Sequence, residues 1–274
     1  MTTLPLYQVD AFTERAFAGN PAGVCLLTEA RPDSWMQALA AELKHSETAF
    51  LLPENDGHGH EGPGQAGYRL RWFTPGAEVD LCGHATLASA HVLFETGRLA
   101  PNAEARFFTR SGLLTACQNA GWTELNFPAT PAQPAQAPEG LLESLGIREA
   151  LYVGHNGFDY LVELADEREV RTLKPDFRAL QQITARGVIV TAPGTGEYDF
   201  ISRFFAPQVA VDEDPVTGSA HCTLAPYWSD RLGKNHFSAY QASERGGFLR
   251  VRLEGERVVI AGKAVTIYEG FLKV

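Results

Sequence analysis

Apolar and polar positions alternate along residues 4–12 and run more continuously along 22–27, with a Gly19-Asn20-Pro21 step between them. That period predicts two strands joined at a bend. From Asp33 the period changes: Met36, Leu39, Ala40 and Leu43 recur at helical spacing. An amphipathic helix is expected there, capped by Asp33 and ending near His45. Residues 48–52 read as a buried strand with Glu47 at its mouth, the Gly-rich stretch 54–67 as a loop, and 68–73 as another strand. Residues 128–138 read PATPAQPAQAP, whose prolines oppose helix and ladder alike, and predict a semi-rigid linker. Beyond it the pattern predicts a short helix over 140–145, strands over 158–164, 188–191 and 199–205, and a helix over 177–184 capped by Asp176. Strands and helices therefore mix on both sides of the proline-rich segment.

An internal repeat organises this pattern. Residues 71–80 read RWFTPGAEVD and residues 203–212 read RFFAPQVAVD, with Arg, Phe, Pro, Val and Asp in register. The copies then realign at Gly83-His84-Ala85 and Gly218-Ser219-Ala220 after a three-residue insertion in the second. Two copies are too few for a solenoid, so the economical explanation is a duplicated domain. Each copy passes from a strand through a Gly turn into an apolar helix, over 85–94 before Gly97 and over 220–232 before Gly233. Pro226 should kink or restart the second helix. The amides at Gly83-His84 and Gly218-Ser219 would be the unpaired first donors of these helices, where the dipole favours an anion.

Three side chains near these starts could carry chemistry. Glu47, desolvated at a strand mouth, would have its pKa raised toward the range useful to a general base, although an exposed strand-end Glu fits the same position. His84 at a helix N-terminus should stay neutral and could donate one hydrogen bond. Asp214 precedes Pro215 in a turn, where an Asp is often only a turn residue but could also carry or orient a proton. Ser219 suits an N-terminal cap and ligand binding equally.

Composition narrows the function classes. In 274 residues, 45% apolar and 20% charged residues are ordinary for a folded globular chain. A net charge of −10 opposes a nucleic-acid footprint or an anionic membrane surface, so no nucleic acid and no membrane partner are expected. No signal-peptide pattern or long apolar run is read, which points to the cytoplasm. Cys25, Cys82, Cys117 and Cys222 lie far apart in no CxxC pair, against a zinc knuckle or a disulfide scaffold. His58-Gly59-His60 lacks a third ligand nearby, and Gly194-Thr195-Gly196 lacks the third Gly and following helix of a dinucleotide fingerprint. Neither a metal nor a nicotinamide cofactor is therefore expected.

The segments Asp10-Ala11-Phe12, Phe17-Ala18-Gly19-Asn20-Pro21-Ala22-Gly23-Val24, His45-Ser46-Glu47-Thr48-Ala49-Phe50, Arg71-Trp72-Phe73-Thr74-Pro75, Cys82-Gly83-His84-Ala85-Thr86 and Asp214-Pro215-Val216-Thr217-Gly218-Ser219-Ala220-His221 together resemble the PhzF family, the phenazine-biosynthesis isomerase-like proteins. The resemblance implies an α+β, diaminopimelate epimerase-like fold of two pseudo-symmetric lobes, each a curved sheet or barrel wrapped round a central helix. The lobes would cover residues 1–118, rejoined by a final strand in 265–274, and residues 119–264, with the site in the cleft between them. It also implies a homodimer and a cofactor-independent isomerisation of a trans-2,3-dihydro-3-hydroxyanthranilate-like acid, in which a Glu, here Glu47, moves a proton between carbons. Asp214 and His84 carry over as its catalytic partners, and Ser219, Ser46, Gly83 and Gly218 as substrate contacts.

Two other readings stay open. A two-thiol racemase or epimerase would use Cys82 and Cys222, but Cys82 precedes its repeat Gly by one residue while Cys222 follows Gly218 by four, so the duplication does not place them alike. A non-catalytic metabolite-binding or interaction protein on the same scaffold would not need Glu47, His84 and Asp214 together.

Overall fold

In a computed structural model the described residues are 3–54 and 67–273, so His58 and His60 lie outside them. In chain order the elements are β1 (Thr3–Ala11), β2 (Asn20–Leu26), α1 (Asp33–Leu43), β3 (Glu47–Glu54), β4 (Gly67–Phe73), β5 (Glu78–Val79), α2 (Gly83–Glu95), β6 (Glu104–Thr109), β7 (Gly112–Asn119) and β8 (Trp122–Pro128). They continue with β9 (Gln133–Pro134), α3 (Leu141–Leu145), β10 (Tyr152–His155), β11 (Asp159–Glu163), α4 (Glu167–Thr172), α5 (Phe177–Leu180), β12 (Gly187–Pro193) and β13 (Phe200–Ala206). A 3₁₀ turn (Pro207–Val209) leads to β14 (Val211–Asp214), α6 (Gly218–Leu232), β15 (His236–Gln241), β16 (Gly247–Glu254), β17 (Arg257–Gly262) and β18 (Ala264–Lys273). The chain forms two compact units, Met1–Asn126 with Ala261–Val274, and Phe127–Ile260.

In the first unit β1 runs antiparallel to β2 on one side and to β18 on the other. The chain then crosses through α1 so that β2 and β3 lie parallel, turns back into β4, and crosses through α2 so that β4 and β6 lie parallel, before the antiparallel run β6-β7-β8. Helix α2 is buried on nearly every face, from His84 through Phe94, and packs against β1, β2, β3, β7 and β18. A helix apolar all round must be enclosed. Its two hydroxyl side chains return to carbonyls one turn back, Thr86 to Cys82 at 2.5 Å and Ser89 to Ala85 at 2.7 Å, so they enter the core satisfied. Under α1 a second cluster joins Met36, Ala40, Phe50 and Phe73, with the Phe50 and Phe73 rings edge to face at 5.5 Å.

The second unit repeats the order. β10 and β11 are antiparallel, β11 and β12 parallel across α4 and α5, β12 and β13 antiparallel, β13 and β15 parallel across α6, and β15 and β16 antiparallel. Even the register is shared: Thr48 faces Phe73 as Val188 faces Phe205. Each repeat arginine builds the same clamp. Arg71 meets Glu78 through Nε at 2.6 Å and Nη2 at 2.7 Å, and Arg203 meets Glu213 at 2.7 and 2.8 Å. The guanidinium lies over Phe73 in one case, 5.1 Å away, and over Phe205 in the other, 4.8 Å away.

These pairings move the insertion. Trp72 faces Val79, whereas its counterpart Phe204 faces Asp214, so the extra residues lie before Glu213 and not after Asp212. They are taken up by the bulge between Phe204 and Ala206, the 3₁₀ turn and the left-handed Ala210, φ 62°. The in-register Val and Asp of the two copies are therefore not structural equivalents. Asp214 occupies the place of Val79, and Thr217 that of Cys82.

Four further expectations are corrected. Asp33 is the first helical residue and not a cap; Pro32 precedes it, and the Asp33 carboxylate instead accepts from Arg71 Nη1 at 2.7 Å. The helix expected over 177–184 closes at Leu180, although Asp176 does cap it, accepting from the amides of Arg178 and Ala179. Residues 128–138, expected as a semi-rigid linker, are tied down by backbone bonds. Gln133–Pro134 pairs with β10, and the amides of Ala129, Thr130 and Ala135 donate to Glu256, Cys222 and Val153. Proline is tolerated there because an edge position needs no second donor. Finally α6 does not restart at Pro226 but runs as one helix from Gly218 to Leu232. The carbonyl one turn back, that of Cys222, is orphaned by the missing proline N–H and accepts from the Thr130 amide at 3.0 Å.

Candidate active site

Helix α1 ends at Lys44, whose left-handed backbone (φ 57°) reverses the chain toward β3. Half-buried Ser46 and then Glu47 follow, and Glu47 opens β3 opposite Ala22 of β2. The entry to β2 is itself fixed: Gly19 holds φ +64°, and a Cβ there would stand 2.1 Å from the Ala11 carbonyl oxygen. Glu47 is thus a strand-mouth carboxylate, but not a fully exposed one; its side chain is 18% accessible. Its Oε2 lies 3.2 Å from Nε2 of His84, the second residue of α2. The contact is at ion-pair distance without the alignment of a hydrogen bond, so the buried Nε2 has no hydrogen-bonded partner among the described residues. On the other side of the ring, Cys82 Sγ lies 3.4 Å from Nδ1.

Burial pushes the His84 pKa down to about 3, and His45 nearby acts in the same direction. The loss of water around the fully enclosed ring dominates, and His84 is a neutral imidazole near pH 7. Neutrality was expected from the helix dipole; desolvation is the larger cause. Gly83 opens α2, and Cys82 before it makes no capping side-chain bond to the first amides of the helix. One donor atom from each of Glu47, Cys82 and His84 lies within 4.8 Å of the others, a spacing at which the three could share a cation.

The second unit holds Asp214, Gly218 and Ser219 at the start of α6. Thr217 Oγ1 donates to Asp214 Oδ2 at 2.5 Å, and Gln241, fully buried, ties the turn by accepting from the Thr217 amide at 2.8 Å and donating to the Asp214 carbonyl at 2.7 Å. Ser219 is not the cap; Thr217 holds that position without a capping bond. Instead Arg186 Nη2 donates to Ser219 Oγ at 3.1 Å, while its Nε donates at 2.8 Å to Asp159, whose carboxylate is wholly buried and also meets Nη2. With an N–H directed into Oγ, the Ser219 hydroxyl proton is available to another acceptor. One turn into α6, His221 directs Nδ1 to the Thr217 carbonyl at 2.8 Å, and burial pushes its pKa down to about 4.

The structure therefore joins Glu47, His84 and Cys82 in one unit, and Asp214, Ser219 and Arg186 in the other. A family model described as phenazine biosynthesis-like protein matches residues 9–270. The chain belongs to this family. An uncharacterized isomerase of Halalkalibacterium halodurans is 54% identical over 269 residues, covering 97% of each chain. The crystal structure of a PhzF-family protein from Enterococcus faecalis superposes with a TM-score of 0.91 at 40% identity over the whole of both chains. A hydroxyproline epimerase of Agrobacterium vitis shares the fold alone, with a TM-score of 0.61 at 13% identity over 98% of this chain and 92% of that one. The fold class is accordingly α+β of the diaminopimelate epimerase-like kind.

Arg186, Asp159 and Gln241 were not singled out from the sequence of this family member. The strand registers, which the sequence repeat does not reveal, set Arg186 at the place of Ser46, one residue before that of Glu47.

Proposed function

We propose that this chain is an isomerase that moves a proton from one carbon to another of a small carboxylated substrate, a trans-2,3-dihydro-3-hydroxyanthranilate-like acid, with Glu47 as general base and then general acid. The observation that carries the reading is the half-buried Glu47 carboxylate 3.2 Å from the neutral, enclosed His84. The ionised Glu47 takes a proton from a substrate C–H, the electron pair spreads into the adjoining unsaturated system, and protonated Glu47 returns the proton at another carbon. Atoms and electrons balance without an oxidant or reductant. A positioned base of this kind contributes ~10²–10⁴ in rate. His84 Nε2–H steadies the Glu47 carboxylate or the developing substrate charge, and the first amides of α2 favour an anion beside them. Asp214 assists proton relay, and Ser219, Ser46, Gly83 and Gly218 contact the substrate in this reading.

A racemase using two thiols is less well supported. Burial raises the Cys222 thiol pKa to about 12, which leaves almost no thiolate near pH 7. A homodimer and a cytoplasmic location complete the proposal; among the described residues no helix is long and apolar enough to cross a membrane. The reading is tested by incubating small unsaturated carboxylic acids with the protein in D₂O and following each by NMR. Ligands that enter the molecule and acquire deuterium at carbon, with a shifted double bond, support isomerisation. Acids that raise the melting temperature but never exchange point to a binding protein.

A further inference from the structure

Cys82 stands where helix α2 would ordinarily take a cap, yet it caps nothing. Ser, Thr, Asn or Asp at such a position would stabilise the helix, and a Cys forgoes most of that. The corresponding residue of the second unit, Thr217, sends its hydroxyl to Asp214. Cys82 instead directs its sulfur at His84 Nδ1, 3.4 Å away, in a buried setting. The opposite nitrogen of the same ring lies 3.2 Å from Glu47 Oε2. Sulfur, imidazole and carboxylate thus form one continuous row.

A neutral imidazole carries a single N–H, so only one end of that row can receive a proton from the ring. If the proton were on Nδ1, the lone pair of Nε2 would lie 3.2 Å from an oxygen of an ionised carboxylate, a repulsive proximity inside a desolvated site. With the proton on Nε2, the ring places an N–H beside the Glu47 carboxylate, at ion-pair distance though not aligned as a hydrogen bond, and Nδ1 becomes an acceptor that a thiol S–H can fill. A thiol is a weak donor, but here it needs only to tip a balance between two tautomers of one buried ring.

We propose that Cys82 is a positioning residue whose S–H donates to His84 Nδ1 and so holds the Nε2–H tautomer that faces Glu47. The proposal rests on the reading of Glu47 as an ionised general base in the resting protein. It assigns Cys82 a task distinct from thiol nucleophile, metal ligand or packing group. Its logic matches that of other active-site rows in which a third group fixes the ring whose far nitrogen does the work.

The test uses the full chain labelled with ¹⁵N, without substrate, and reads the His84 ring by long-range ¹H–¹⁵N correlation near pH 7. Wild type is expected to show protonated Nε2 and an accepting Nδ1. Cys82→Ala should shift His84 to a mixture or to the Nδ1–H form, and Cys82→Ser, which restores a donor, should return the wild-type pattern. Carbon-exchange turnover should fall ~10- to 100-fold in Cys82→Ala and largely recover in Cys82→Ser. An Nδ1–H tautomer in wild type overturns the proposal, and so does an unchanged ring in Cys82→Ala. If Cys82→Ala does not fold, the wild-type tautomer decides alone. The tautomer is read without turnover, so a failure of Glu47 as the base would leave this result standing and would show only in exchange by a Glu47→Gln protein.

Discussion

Oε2 of Glu47 lies 3.2 Å from Nε2 of His84, a ring that is itself enclosed by the start of the central helix of its unit. A carboxylate at a strand mouth and an imidazole at a helix start meet only because α1 closes in the left-handed Lys44 and β3 then runs beside β2. The catalytic proposal and the pH behaviour of the fold both follow from that contact.

Acid should destabilise the protein well before carboxylates titrate. Burial lowers the folded-state pKa of His84 to about 3 and of His221 to about 4, from an ordinary value of 6.5. Between those values and 6.5 the unfolded chain binds more protons than the folded one, so stability rises with pH across the window and is fully present above it. Urea midpoints should fall steadily as pH drops from 6.5 to 4. A His84→Asn or His221→Asn protein, though weaker at pH 7, should show a shallower fall; an equally steep one would contradict the burial argument.

Arg186→Met should cost about 3 kcal/mol at pH 7, because it leaves the wholly buried Asp159 carboxylate without its guanidinium. It should also raise KM through loss of the bond to Ser219. Urea unfolding checks the first and substrate titration the second. A loss under about 1 kcal/mol would mean that Asp159 finds water or another partner.

Gln241→Leu removes the amide that accepts from the buried Thr217 N–H and donates to the Asp214 carbonyl, so both bonds are lost. A loss of about 2–4 kcal/mol is expected, together with weaker turnover if Asp214 assists the reaction. Equal stability of the variant and the parent by urea unfolding would show that the turn before α6 is held by other contacts.

Much of the fold was legible because local period and duplication agree. The 3.6-residue period of Met36, Leu39, Ala40 and Leu43 marked α1, and Gly83 and Gly218 marked the two inner helices, since apolar runs after a Gly turn have few other solutions. What was not legible depends on partners distant in sequence. Pro226 looks like a helix breaker until Thr130 is seen to satisfy the Cys222 carbonyl. Asp33 looks like a cap until Arg71 reaches it. The repeat alignment placed the insertion after Asp212, because identical residues attract an alignment, whereas the Arg203–Glu213 clamp fixes it upstream. Glu47 was visible as a carboxylate at a strand mouth, and His84, Asp214 and Ser219 as residue types at or just before helix starts, but Arg186 and Cys82 gain meaning only from the atoms that they touch.

The most direct test of the central claim is solvent-deuterium incorporation at substrate carbon by wild type and by Glu47→Gln. The substitution keeps the shape of residue 47 and removes its basicity, and circular dichroism verifies that the variant is folded. Wild type should exchange and isomerise, while Glu47→Gln should lose ~10²–10⁴ in exchange rate with binding of the acid largely retained. Exchange at the wild-type rate in a folded Glu47→Gln protein would contradict the assignment of Glu47 as the group that moves the proton.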